Sequence, residues 1–124
     1  MYTLRVQSHF SAAHKLRGYR GKCEALHGHN WKVKVTVSSE TLNNIGMVCD
    51  FKELKEKLGR ILKKLDHSYL NKLTYFKKHN PTSEKIAEFI YYEFKKQLKG
   101  KELKLKQVAV WETESSSAIF SEDV

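Results

Sequence analysis

The sequence predicts an α+β domain of two strands, two helices and two more strands, with a four-stranded antiparallel sheet carrying both helices on one face. Three observations predict it. Apolar and polar residues alternate near both ends of the 124-residue chain. The middle carries two apolar stripes at helical spacing. No Gly/Ser-rich or Pro-rich linker and no short repeat divides the chain, so residues 1–124 read as one domain.

Tyr2, Leu4, Val6, Ser8, Phe10, Ala12 and His14 share one parity, which predicts a strand running to the first of these histidines. Gly18 to Asn30 reads as a loop, broken by Gly18, Gly21 and Gly28. Trp31, Val33, Val35 and Val37 then alternate with Lys32, Lys34, Thr36 and Ser38, a second strand. Asn43 to Gly46 marks a turn. Asp50 is a good N-cap for the first helix, with Glu53 three residues on as in a capping box. Its stripe is Phe51, Leu54, Leu58, Ile61, Leu62 and Leu65. Asn80 as cap and Pro81 in the first turn begin the second helix. Its stripe is Ile86, Phe89, Ile90, Phe94 and Leu98, and Gly100 is its stop. Leu103 to Thr113 and Ser116 to Phe120 are the last two strands. A sheet of this kind has bare edges, which predicts pairing with further copies of the chain.

Composition narrows the class. Hydrophobic residues make up 40% of the chain, which suits a packed domain and not a disordered one. Apolar runs are only a few residues long, far short of the roughly 20 that span a bilayer. The alternating N-terminus is unlike a signal peptide, so a cytoplasmic protein with no membrane partner is expected. The two cysteines, Cys23 and Cys49, are too few for a disulfide scaffold and should be free thiols. Cys49, within Met47-Val48-Cys49, reads as a small buried hydrophobe. The net charge of +9 could attract nucleic acid or a polyanionic small molecule. The lysines, however, follow the polar faces of the two helices, and no recognised nucleic-acid motif is present, so no direct nucleic-acid partner is expected.

Among the six histidines, three could converge. His27 and His29 are two apart, so on an extended segment both face one way, and Gly28 between them lets the backbone pass close to an ion. His14 ends a strand that should pair with the one after His29. Three imidazoles with one open position are the pattern of a catalytic zinc site, whose fourth place takes water or substrate. Cys23, four residues before His27, could be a fourth ligand, a nucleophile, a base or a plain loop thiol. Asp66 and His67, adjacent near the end of the first helix, could be a helix-terminal pair or a carboxylate-tuned proton shuttle. Glu112 interrupts the apolar run Val108 to Trp111, and a carboxylate there needs a partner: a basic residue, or a cationic or amide-like ligand edge.

Taken in order, Phe10-Ser11-Ala12-Ala13-His14, Cys23 to Asn30, Asp50-Phe51, Leu65-Asp66-His67, Asn80 to Glu84 and Trp111-Glu112-Thr113 resemble the 6-pyruvoyl-tetrahydropterin synthase family, which includes 6-carboxy-tetrahydropterin synthase of queuosine biosynthesis. The matches span nearly the whole chain. The resemblance implies the tunnelling fold, in which subunits form a trimeric β-barrel and two trimers stack into a hexamer. It implies Zn2+ on His14, His27 and His29, catalysis by Cys23, Asp66 and His67, and Glu112 as the residue that anchors the pterin. The implied substrate is 7,8-dihydroneopterin triphosphate. The short Cys-x-x-x-His-Gly-His spacing resembles carboxy-forming members, which release acetaldehyde and triphosphate; pyruvoyl-forming animal enzymes have a longer gap. Glu24 beside Cys23 is a departure that resembles members serving folate synthesis as well, although it also reads as an ordinary solvated loop residue.

Overall fold

The computed structural model describes residues 1–18 and 25–122, and Cys23 and Glu24 lie outside the described residues. The chain runs β1 (Tyr2–His14), β2 (His27–Ser39), α1 (Phe51–Leu62), β3 (Ser68–Tyr69), a 3-10 turn (Leu70–Lys72), α2 (Thr74–Lys78), α3 (Ser83–Gln97), β4 (Lys104–Thr113) and β5 (Ser116–Phe120). One sheet holds the strands in the order β3-β1-β2-β4-β5. The expected α+β architecture is present, with two additions. β3 is two residues that pair in parallel with Ala12 and Ala13, and α2 is a five-residue helix. Neither is long enough to show a periodicity in the sequence.

Burial follows the alternation. Val6, Phe10 and Ala12 of β1, Trp31, Val33, Val35 and Val37 of β2, and Val108 and Val110 of β4 form the sheet side of the core. Leu54, Leu58, Ile61 and Leu62 of α1 and Ile86, Ile90 and Phe94 of α3 cover that face. Phe51, expected in the first stripe, is half exposed at the start of its helix. The opposite sheet face is polar and basic: Lys32 and Lys34 lie over the Trp111 ring, with Nζ 4.3 and 5.2 Å from its centroid.

The ends of the elements differ from the sequence reading in three places. The second strand starts at His27, not at Trp31, because the segment from His27 to Asn30 pairs with the end of β1, His14 opposite His27 and Ala12 opposite His29. Asp50 caps α1 as expected, accepting from Lys52 N at 2.8 Å, but the Glu53 carboxylate turns to Lys57 Nζ at 3.0 Å. Thr82, not Asn80, caps α3, accepting from Lys85 N at 3.1 Å. Asn80 is used elsewhere: its side chain accepts from Arg17 N and donates to Arg17 O, at 2.9 and 2.8 Å, tying the segment after β1 to the entry of α3. No helix among the described residues is long and apolar enough to cross a membrane.

Candidate metal centre

The hairpin β1–β2 brings His14, His27 and His29 to one end of the helix-covered face. His14 and His27 are cross-strand partners, and His29 is one inward-facing step along from His27. Trp31, fully buried, is the next such step and forms the floor. Its ring stands edge-on to His14 and His29, with centroids 5.0 and 5.3 Å away, and its Nε1 donates to Ala12 O at 3.3 Å. Phe10 stacks on its far side at 5.8 Å. The core side chains thus limit the orientations open to two of the three imidazoles.

Backbone carbonyls fix two of the rings. His14 Nδ1 lies 2.7 Å from Pro81 O, and His27 Nδ1 lies 2.8 Å from Ala25 O. A carbonyl oxygen only accepts, so both Nδ1 atoms carry the proton and both Nε2 atoms of the neutral rings present lone pairs. Those two Nε2 atoms are 3.0 Å apart. Two lone pairs that close repel unless a proton or a metal cation lies between them.

Glu112 completes the group. Its Oε1 is 3.2 Å from His14 Nε2, 3.6 Å from His27 Nε2 and 2.8 Å from His29 Nε2. His29 Nε2 is buried and makes no hydrogen bond despite the short approach to the carboxylate. Burial, opposed in part by the Glu112 charge, holds the His29 pKa below its ordinary value and so favours the neutral ring. Four donor atoms, from His14, His27, His29 and Glu112, lie within 4.8 Å of one another. Tetrahedral zinc with bonds of about 2.0–2.1 Å needs ligand atoms roughly 3.3 Å apart, close to the 3.0 Å between the His14 and His27 nitrogens and the 2.8–3.6 Å from Glu112 to the three imidazoles. The facing lone pairs, the orphaned His29 nitrogen and the spacing all fit a bound divalent metal.

Asp66 and His67 stand at the neighbouring edge, between α1 and β3. Ser11 binds both through its main chain: its N–H donates to Asp66 Oδ1 at 2.8 Å, and its carbonyl accepts from His67 N at 2.6 Å. The Ser11 N–H holds the Asp66 carboxyl below the usual carboxylate range, helped by His67, whose Nδ1 is 3.0 Å from Oδ2. His67 has φ of 55°, the left-handed region, which costs a residue with a Cβ about 1–2 kcal/mol. Its ring is exposed. His67 and His29 line one cleft of 430 Å³ together with Ser11, Gly28 and Asn30. Asp66 and His67 are therefore neighbours of the histidine group without belonging to it. The sequence reading did not find the orienting carbonyls of Pro81 and Ala25, because any residue type supplies a carbonyl. It also left the clamping role of Ser11 unread.

An open, mostly antiparallel sheet backed by helices, with three histidines and a glutamate that could hold a metal ion at the end of its β1–β2 hairpin, defines an α+β scaffold with a candidate metal centre. Residues 3–123 match the profile of 6-pyruvoyl tetrahydropterin synthase, and the chain belongs to that family of pterin enzymes. It is 41% identical over 96 residues to a Synechocystis 6-carboxy-5,6,7,8-tetrahydropterin synthase, covering 73% of each chain. It is 39% identical over 103 residues to a Pyrococcus furiosus dihydroneopterin monophosphate aldolase, covering 83% of this chain and 82% of the relative. The Caenorhabditis elegans 6-pyruvoyl tetrahydropterin synthase superposes with a TM-score of 0.88 at 29% identity, over 98% of this chain and 96% of that one.

Proposed function

We propose that this chain is a zinc-dependent lyase that converts 7,8-dihydroneopterin triphosphate to 6-carboxy-5,6,7,8-tetrahydropterin, releasing acetaldehyde and triphosphate. The observation that carries the reading is the convergence of the His14, His27, His29 and Glu112 donor atoms within 4.8 Å of one another, with the His14 and His27 Nε2 atoms 3.0 Å apart, a geometry that a shared metal cation would satisfy. His14, His27 and His29 would hold Zn2+, which when bound supplies Lewis acidity toward the oxygens of the substrate side chain. Glu112 would anchor the ring: a pterin offers two adjacent N–H donors in the fork that a carboxylate accepts well. Cys23, as the thiolate, would take and return a proton near the ring. Asp66 would hold His67 by its Nδ1, leaving Nε2 free to relay that proton to solvent.

The carboxy-forming branch is preferred on the Cys-x-x-x-His-Gly-His spacing and the Synechocystis relative. The Pyrococcus relative, together with Glu24, favours as second reading a member that also forms 6-hydroxymethyl-dihydropterin for folate. We further read the chain as a single domain acting in the cytoplasm as a homo-oligomer, a dimer of trimers. Chromatographic identification of the product from 7,8-dihydroneopterin triphosphate and the zinc-loaded protein tests the assignment. 6-Carboxy-tetrahydropterin is expected. A pyruvoyl or hydroxymethyl product would move the chain to another branch, and no turnover of the pterin would overturn the reading.

A further inference from the structure

We propose that Glu112 is itself a metal ligand in the ligand-free protein and leaves the metal when a pterin ring arrives, so that the fourth coordination position opens only in the presence of the ring. The inference rests on the zinc and pterin reading above and assigns Glu112 two successive partners. The first part follows from the separations. Glu112 Oε1 sits 2.8 to 3.6 Å from all three imidazole Nε2 atoms, where a fourth tetrahedral ligand belongs.

The second part follows from the backbone. β4 pairs with β2 as far as Trp111, opposite Lys32. On its other side, Trp111 pairs with Ser117 and Thr113 with Ser116, so the ladder shifts register at Glu112. Glu112 is thus the extra residue of a β-bulge, the irregularity that re-aims side chains beside functional sites. Its side chain is 29% exposed while that of His14 is 2% exposed. The imidazole is locked by its surroundings, and the carboxylate has an open flank into which it can turn.

Accepting both N–H donors of a pterin edge draws both carboxylate oxygens into the plane of the ring, which competes with ligation of the metal by Oε1. Recognition of the ring would therefore free one coordination position, which a side-chain oxygen of the substrate could then take. Before that, the closed set of four donors keeps water and stray anions off the metal. This makes Glu112 a specificity device: the Lewis acid is exposed to compounds that carry the ring.

The test is a titration of metal-free protein with Co2+ alone against a competing chelator, read through the cobalt d–d absorption, for wild type, Glu112→Gln and Glu112→Asp. Loss of an inner ligand should weaken cobalt binding at least as much as loss of an outer-sphere partner does, about 10- to 100-fold. Both variants should show it, because aspartate keeps the charge but falls one methylene short. Azide binding to the cobalt protein then reads the open position. Plain pterin, which has no side chain, should raise azide affinity in wild type, and Glu112→Gln should show the raised affinity without pterin. If wild type binds no cobalt, the metal reading itself fails. If it binds cobalt and Glu112→Gln matches it in affinity and spectrum, only the ligand role of Glu112 fails. If Glu112→Gln binds cobalt weakly but pterin leaves azide affinity unchanged or lowers it, Glu112 is a permanent ligand and the displacement is overturned.

Discussion

His14 Nδ1 donates to the carbonyl oxygen of Pro81 across 2.7 Å, joining the end of β1 to the entry of α3. The contact commits the ring to one tautomer and aims Nε2 at the other donors. It makes the centre depend on how α3 is seated on the sheet, which no local segment controls. Metal-bound imidazoles commonly donate their second nitrogen in this way, which fixes ring orientation and raises basicity.

From this pairing a contrast between two ligands is expected. His14→Ala and His29→Ala should both abolish stoichiometric zinc. In the metal-free protein, His14→Ala should also cost about 1–3 kcal/mol, because it leaves Pro81 O buried without its donor. His29→Ala should cost less, since that side chain is 22% exposed and gives up only its 2.8 Å approach to the partly exposed Glu112 carboxylate, leaving no buried carbonyl unpaired among the described residues. Metal analysis and urea denaturation of the metal-free variants check both statements. Full zinc content in His29→Ala would sink the ligand assignment.

Cys23→Ala should keep zinc and fold while lowering turnover of dihydroneopterin triphosphate by about 10²–10⁴-fold, the range for a lost proton-transfer group. Retained carboxy-tetrahydropterin formation would shift the role to Glu24 or His67.

Asp66 gives a pH dependence. Its carboxyl titrates below the usual range in the folded protein, chiefly because the Ser11 N–H donates to it. The folded state thus binds this proton less tightly than the unfolded chain does. The resulting stability is complete above the ordinary carboxylate range and is lost as pH falls through the depressed value. Asp66→Asn should flatten that part of the acid limb in denaturation curves taken from pH 7 downward. It should also reduce turnover by about 10²-fold or more through His67, with zinc content unchanged. A variant whose acid limb and turnover both match wild type would leave Asp66 with neither role.

The sheet leaves hydrogen-bonding edges without a partner strand among the described residues. β3 covers only Ala12 and Ala13 of β1, and nothing flanks the outer side of β5. Exposed edges of this length invite pairing with another copy. Light scattering at micromolar concentration should therefore give a homo-oligomer, a hexamer on the proposed reading. A monomer would contradict it. Salt-titrated tRNA binding is expected to be weak, since most of the lysines on α1 and α3 lie scattered along exposed helix faces.

By itself the sequence determined the α+β class, the hairpin of β1 and β2, the helix-covered face and the candidacy of His14, His27 and His29. These are carried by period-2 and period-3.6 spacing and by a dense set of family motifs, all of which are local. Tertiary structure alone decided that His14 faces His27 in register, that Pro81 and Ala25 orient the rings, and that Thr82 rather than Asn80 caps α3. It also decided that Ser11 clamps Asp66 and His67, and that Glu112 turns toward the imidazoles from a bulge in β4. The division has one physical cause. A side chain's face on its own element follows from backbone periodicity. The atom it finally meets follows from strand register and from which helix end is packed against it, and those are set by contacts between residues as far apart in sequence as His14 and Glu112.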